Sequence, residues 1–249
     1  MKYYGKTDIG LKRVDNQDSF KCFDYAGALV CVLCDGMGGV TYGKLAADLA
    51  INSFYDKFTE LSSSCSKNPY AYSLSLSNII KNSVVYANKS VYDKSIEMGQ
   101  PKEMGTTLVC TVFYEGTLYV ANVGDSRLYE LEEGILTKLT KDHSYVQLLI
   151  DIGKISTSEA DIYDNGAITK AIGLENEVEP DTYVIDIDDE GVYLLCSDGL
   201  YNMVGDEEIK DTLSLVKEGK DVSEVLDLLV NKALEEGGAD NITAVIIAE

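Results

Sequence analysis

Positive charge is scarce in this chain. Its 21 lysines and arginines stand against 42 aspartates and glutamates, a formal net charge of −21. A phosphate backbone is held by cations, so the deficit argues against nucleic acid and leaves basic peptides or proteins as partners. Long apolar runs are also missing. The longest stretch free of charged and strongly polar groups, Ala26 to Cys34, is far too short to cross a bilayer, so no membrane insertion is expected. Met1-Lys2-Tyr3-Tyr4-Gly5-Lys6 lacks an apolar signal core, and the expected location is cytoplasmic. Histidine occurs once, as His143, and only Cys31 and Cys34 among the six cysteines form a C-x-x-C pair. On a strand, residues three apart point to opposite faces, so reduced buried thiols are expected and not a zinc site. The three prolines (Pro69, Pro101, Pro180) fall between expected elements, with neither a linker nor an internal repeat. The 249 residues, 45% hydrophobic and 25% charged, read as one globular domain, 1–249.

What the chain does have is one device used repeatedly. Ala28 to Cys34 is a continuous apolar run with β-branched members, stopped by Asp35-Gly36-Met37-Gly38-Gly39. Such a run reads as a strand buried on both faces, and Asp35 sits where it leaves the core. Gly191 to Ser197 leads likewise into Asp198-Gly199, Leu118 to Gly124 into Asp125, and Asp240-Asn241 precedes the run Ile242 to Ala248. Asp-Gly also marks ordinary turns, and any one of these acids alone carries little. Several at the ends of buried strands repel one another if the ends converge, and oxygen-rich clusters of that kind hold hard divalent cations such as magnesium or manganese.

In chain order, Lys2 to Thr7 reads as a strand, followed by a polar segment with Arg13 and Asp18. A guanidinium fork suits a phosphate dianion, although taken by itself Arg13 reads first as a partner in a surface ion pair. Ser19 to Tyr25 and Ala28 to Cys34 form a strand pair around Gly27. A helix is expected from Gly43 to about Leu61, where Ala46, Ala47, Ala50, Ile51, Phe54 and Phe58 recur at steps of three and four. A second runs from Pro69 to about Ile96. Strands are expected at Leu108 to Tyr114, Thr117 to Val123 and Arg127 to Leu131, with Glu115-Gly116 and Glu133-Gly134 as turns. His143 to Ile152 reads as a short helix and Ile155 to Lys170 as an irregular excursion, together a flap at about 144–170. Strands at Tyr183 to Ile187 and Val192 to Ser197, a helix capped by Asp221 and a last strand, Ile242 to Ala248, complete the chain. The acids between Glu175 and Glu190 read as a solvated rim. Helices between runs of hairpin-linked strands indicate an α+β fold with antiparallel sheets covered by helices.

The ordered set Asp8-x-Gly10-x-x-Arg13-x-x-Asn16-Gln17-Asp18, Asp35-Gly36-Met37-Gly38-Gly39, Gly105-Thr106-Thr107, Asn122-Val123-Gly124-Asp125-Ser126-Arg127, Leu139-Thr140-Lys141-Asp142-His143-Ser144, Ser197-Asp198-Gly199-Leu200 and Asp240-Asn241 resembles the motifs of the PPM-type (type 2C) metal-dependent protein phosphatases, bacterial branch. The resemblance implies a four-layer αββα sandwich, two antiparallel sheets face to face with helix pairs outside. It implies that Asp35 bridges two Mg2+ or Mn2+ ions, that the Gly36 carbonyl binds one of them, and that Asp198 and Asp240 bind the other. Asp18 matches an acid reaching the metals directly or through water, Asp125 with Asp198 the place of a third, weaker ion, and Arg13 the phosphate-binding arginine. Two cations sharing a water lower its pKa and aim it at phosphorus. The activity so implied is hydrolysis of phosphoserine and phosphothreonine in proteins, by a monomer that reverses a serine/threonine kinase in bacterial signalling. A hydrolase of other phosphate esters and a catalytically dead binding relative are the competing readings. Against the second, a scaffold has no reason to keep mutually repelling acids. Two departures stand out. Met37 occupies the place of a histidine in animal relatives, and Tyr163 to Lys170 follows the bacterial flap pattern only in part. His143 is expected to serve the scaffold.

Overall fold

A computed structural model describes residues 1–163, 167–187 and 191–248. Among these the strands are β1 (Lys2–Asp8), β2 (Ser19–Tyr25), β3 (Ala28–Cys34), β4 (Gly36–Met37), β5 (Gly105–Thr106), β6 (Leu108–Tyr114), β7 (Thr117–Val123), β8 (Arg127–Glu132), β9 (Ile135–Lys138), β10 (Asp181–Asp186), β11 (Val192–Cys196) and β12 (Ile242–Ala248). The helices are α1 (Gly39–Cys65), α2 (Pro69–Glu97), α3 (Tyr145–Asp151), α4 (Asp198–Tyr201), α5 (Asp206–Lys217) and α6 (Val222–Glu235), with a 3-10 turn at Thr157–Ile162. One sheet has the order β1-β12-β11-β8-β9 and the other β10-β7-β6-β3-β2, antiparallel throughout; β4 and β5 form a small ladder of their own.

Alternation along β3 shows how the layers hold together. Leu29, Cys31 and Leu33 point between the sheets and meet Leu128, Leu195, Val245 and Ile247 of the other sheet. Val30, Val32 and Cys34 point outwards onto Phe54, Phe58, Leu76 and Ile80 of α1 and α2. The second sheet is covered in the same way, Leu194, Cys196, Ala244 and Ile246 lying against Ile209, Leu213, Leu226 and Leu229 of α5 and α6. This is the αββα arrangement. Each large apolar side chain so buried contributes roughly 1.5–3 kcal/mol. Cys31 and Cys34 do point to opposite faces, and all six cysteines are free.

Three hairpins turn on Ala26-Gly27, Glu115-Gly116 and Glu133-Gly134, each with both central residues at positive φ. That is the turn whose twist matches a right-handed strand pair.

Several boundaries differ from expectation. Helix α1 begins at Gly39 and not Gly43. β10 begins two residues early, at Asp181, as an edge strand that alternates in burial. β9, α4 and α5 were not expected, and the short helix at 143–152 is α3, with Ser144 as its cap. The flap is a satellite in which Val146, Leu149 and Ile155 pack on one another. Its base closes through Tyr145 N–H to Ala167 O at 2.8 Å and Thr169 N–H to His143 O at 2.7 Å. Asp164, Asn165 and Gly166 of the flap, and Asp188, Asp189 and Glu190 of the acidic rim, lie outside the described residues. Elsewhere on that rim lysines answer the acids: Lys102 pairs with Glu175, Lys81 with Glu179 and Lys170 with Asp181.

Candidate active site

Sheet direction decides where the acids fall. β3 and β7 each pair antiparallel with β6, so they run the same way and their ends, followed by Asp35 and Asp125, lie at one edge of the sandwich. β11 and β12 are antiparallel to each other, so Asp198 after β11 and Asp240 before β12 share one edge of the other sheet. The two edges meet at a cleft of about 390 Å3 whose wall includes Arg13, Asp35, Gly36, Asp125, Asp198 and Asp240. Asp18 does not line that cleft. It is buried behind it, accepting a hydrogen bond from Ser197 Oγ at 2.8 Å.

Polar side chains fix the backbone around each acid. Thr107 N–H and Thr106 Oγ1 both donate to Asp35 O at 2.8 Å, and Asp35 N–H donates to Thr107 Oγ1 at 2.9 Å. Thr107 Oγ1 is also 2.7 Å from Ser126 Oγ, so the strand ends carrying Asp35 and Asp125 are tied together. Asn241 does the same for the other edge. Its Oδ1 accepts from Gln17 N–H at 2.9 Å, and its Nδ2 donates to Ile9 O at 2.9 Å and Asp15 O at 3.0 Å. It thereby pins the loop that carries Arg13 against Asp240. The fit is close enough to require glycine: a Cβ on Gly10 would stand 2.1 Å from Asp240 O, and one on Gly199 2.0 Å from Asn241 O.

Burial and mutual repulsion push the carboxyl groups towards their neutral form. Asp18 rises to about 7, chiefly through burial and further through the charge of Asp198. Asp125 also rises to about 7, through burial and then Asp198. Asp35 is driven well above the carboxylate range by burial and by the charges of Asp18, Asp198, Asp125 and Asp240; Asp198 is raised by burial and Asp240. Arg13 Nη2 donates to Asp240 Oδ2 at 2.6 Å, while the other oxygen accepts from Asn241 N–H at 2.8 Å.

The donor set suits a hard cation, being carboxylates and a backbone carbonyl, with Asp18 Oδ1 and Asp198 Oδ1 buried and without a hydrogen-bond partner. The fit is one of chemistry and not of a closed sphere. Among the described residues no three acidic, histidine or cysteine side chains close on a common point in the positions they take.

His143 is placed outside the cleft. Its Nδ1 accepts from Gly124 N–H at 3.0 Å and its Nε2 stands 3.2 Å from Asp181 Oδ1, so the neutral ring carries its proton on Nε2. Burial and the neighbouring Lys170 lower its pKa. Met37 faces the cleft and pairs with Gly105. Thr106, Thr107, Ser197 and Asn241 hold the acids, and their part was not foreseen individually. Their presence within the motif strings was the only signal.

A family model described as protein phosphatase 2C matches residues 12–236. The serine/threonine phosphatase stp of Listeria monocytogenes is 32% identical over 244 residues, covering 97% of this chain and 93% of that protein. The crystal structure of the Mycobacterium tuberculosis serine/threonine phosphatase PstP/Ppp superposes with a TM-score of 0.85 at 33% identity, covering 98% of this chain and 97% of that one. The catalytic domain of the serine threonine protein phosphatase PstP in complex with two manganese ions gives a TM-score of 0.81 at 34% identity, covering 98% and 96%.

Proposed function

The chain belongs to the protein phosphatase 2C family, and from that premise we propose that it hydrolyses phosphoserine and phosphothreonine in proteins, with Mg2+ or Mn2+ held by Asp18, Asp35, Asp198, Asp240 and the Gly36 carbonyl, and a third, weaker ion between Asp125 and Asp198. The observation that carries this reading is the convergence of acids from both sheets on one cleft, where burial and the charges of Asp18, Asp198, Asp125 and Asp240 push the Asp35 carboxyl up, and burial and the charge of Asp198 push up that of Asp125. Apposed buried carboxylates are costly, and cations are what offset that cost.

When bound, the ions supply positive charge for the transferring phosphoryl group and lower the pKa of water towards neutrality. This chain's residues supply the geometry. Thr106 and Thr107 fix the backbone of Asp35, Ser197 orients Asp18, and Asn241 fixes both Asp240 and the Arg13 loop. Arg13 is 54% exposed, and its planar fork suits the phosphate dianion. Binding phosphate through Nη2 would require Arg13 to release Asp240, a carboxylate that would itself hold a cation. Among the described residues no imidazole lines the cleft, which supports a scaffold role for His143.

The protein acts as a monomer in the cytoplasm against a serine/threonine kinase. The net charge of −21 opposes self-association, and the six free cysteines suit a reducing compartment. The single domain spans 1–249, and its flap takes part in substrate choice. The direct test is release of phosphate from a phosphoserine peptide and from p-nitrophenyl phosphate with Mn2+, with and without EDTA. Metal-dependent turnover of both is expected. Absence of turnover at millimolar Mn2+ refutes the reading, and turnover of the small ester alone refutes the protein substrate.

A further inference from the structure

Asp125 sits in the tight turn between β7 and β8, after Gly124 with φ 111. Its side chain is 5% exposed and faces Asp198 across the cleft, a like charge that pushes it away. Something must hold the turn in place. Tyr201 Oη donates to the backbone carbonyl of Asp125 at 3.0 Å. Tyr201 lies three residues after Asp198 on α4. One short helix thus carries one cleft acid at its start and a grip on the opposite acid at its end.

The tyrosine is itself braced. Its ring lies against the Arg127 guanidinium, 3.5 Å from ring centroid to Cζ, a cation–π contact. Arg127 is locked by a fork onto Asp142, Nη2 to Oδ2 at 2.8 Å and Nε to both oxygens at 3.2 Å, and it donates through Nη1 to Tyr129 Oη at 2.8 Å. The pair is mostly buried, with Arg127 16% and Asp142 8% exposed, and Lys138 Nζ stands 3.3 Å from the same Asp142 Oδ2, so removing Asp142 leaves costly buried positive charge behind. Asp142 precedes His143, which accepts from Gly124 N–H through Nδ1 and donates its own N–H to Gly124 O at 2.9 Å. The path closes: from Asp125 through Tyr201, Arg127, Asp142 and His143 back to Gly124.

We propose that Tyr201 is a positioning residue for Asp125, and that its hydroxyl, braced by Arg127, sets the affinity of the weak cation place between Asp125 and Asp198. The inference rests on the third-ion reading above. A tyrosine that merely filled space would do as well without its hydroxyl, which makes the single oxygen the quantity to test.

The experiment is equilibrium dialysis against Mn2+ with measured ion content, on wild type, Tyr201→Phe, Asp125→Asn and the double variant, alongside thermal midpoints in EDTA. Tyr201→Phe keeps the ring on Arg127 and removes one hydrogen bond. It should weaken the weakest class of Mn2+ by about 3- to 10-fold, the scale of one such bond, and leave the tighter classes in place. Asp125→Asn should abolish that weak class, and adding Tyr201→Phe to it should change nothing further. Wild-type weak binding in Tyr201→Phe, with the class lost in Asp125→Asn, overturns the role of Tyr201 and leaves the third ion standing. Survival of the weak class in Asp125→Asn overturns the third-ion reading and this inference with it. Equal weakening of every class, or a lowered midpoint that accounts for the change, shows general loosening and also overturns it.

Discussion

Stripped of divalent cations, the protein should lose stability as the pH rises from about 5 to about 7.5. Asp18 and Asp125 titrate near 7 in the folded chain against 3.8 when free, so between those values the folded state binds more protons than the unfolded one. Stability is then full below the unfolded pKa and drains away as the pH passes through the folded one. At roughly 1.4 kcal/mol per pH unit, a three-unit shift sets a ceiling of about 4 kcal/mol for each acid. The two share Asp198 as a neighbour, so their sum is smaller than twice that. Asp35 and Asp198 are shifted in the same direction. His143 is lowered and works the other way, gaining stability as the pH rises towards its free value, but it is one group against four. Ion-paired Asp151 and Asp181, both lowered, lose their contribution only in more acid solution. Urea midpoints followed by far-ultraviolet circular dichroism in EDTA should therefore fall across the interval. With Mn2+ at 100 times its Kd, binding adds about 2.7 kcal/mol, most of it where the acids are ionised, so the slope should flatten or reverse. A midpoint in EDTA that holds level or climbs over this range refutes the account of the cluster.

Asp35→Asn should cut turnover by ~10²-fold or more on both substrates, and retention of a tenth of the wild-type rate counts against the acidic cleft as the reaction centre. Arg13→Ala should raise the KM for a phosphoserine peptide more than it lowers kcat, since a guanidinium binds phosphate in the ground state too; an unchanged KM leaves Arg13 as the structural partner of Asp240. His143→Gln strands the Gly124 N–H at a cost of about 1–3 kcal/mol and should lower the thermal midpoint, with both substrates affected alike. A selective collapse on phosphoserine would make His143 the proton donor after all. Glu133→Asn should stabilise by about 1 kcal/mol, because Glu133 has φ 47 in a hairpin turn where asparagine is at ease. A lower midpoint there would mean the turn differs from the one described.

Strands buried on both faces were the most legible part of the sequence, because continuous apolar runs stopped by glycine permit few other readings; β3, β6, β7 and β12 have the bounds expected. β9 was not read because its four residues are largely exposed and carry no alternation strong enough to stand out. α5 was legible but missed: behind the acidic first turn Asp206-Glu207-Glu208, Ile209, Leu213 and Val216 recur at helical spacing and pack on the second sheet. β10 shifts because an edge strand takes its register from Leu118 and Val120 of β7, which no local pattern reveals. The strand-end acids and Arg13 were legible as motifs. Tyr201 was not, since its meaning lies in Asp125, remote in sequence and brought near only by the stacking of two sheets.

That stacking has a consequence for tolerance. Asp35 and Asp125 are borne by one sheet, Asp198 and Asp240 by the other, and the gap between the two pairs is set by the side chains between the sheets, Leu33, Val109, Leu195 and Val245 among them. Interiors are close-packed and transmit a change of even one methylene group. The cleft is therefore gauged by its apolar filling: Val245→Ala or Leu33→Val, neither touching a donor atom, would alter the spacing on which cation affinity depends. Drift in a hydrophobic layer can retune metal selectivity while every acid stays where it was.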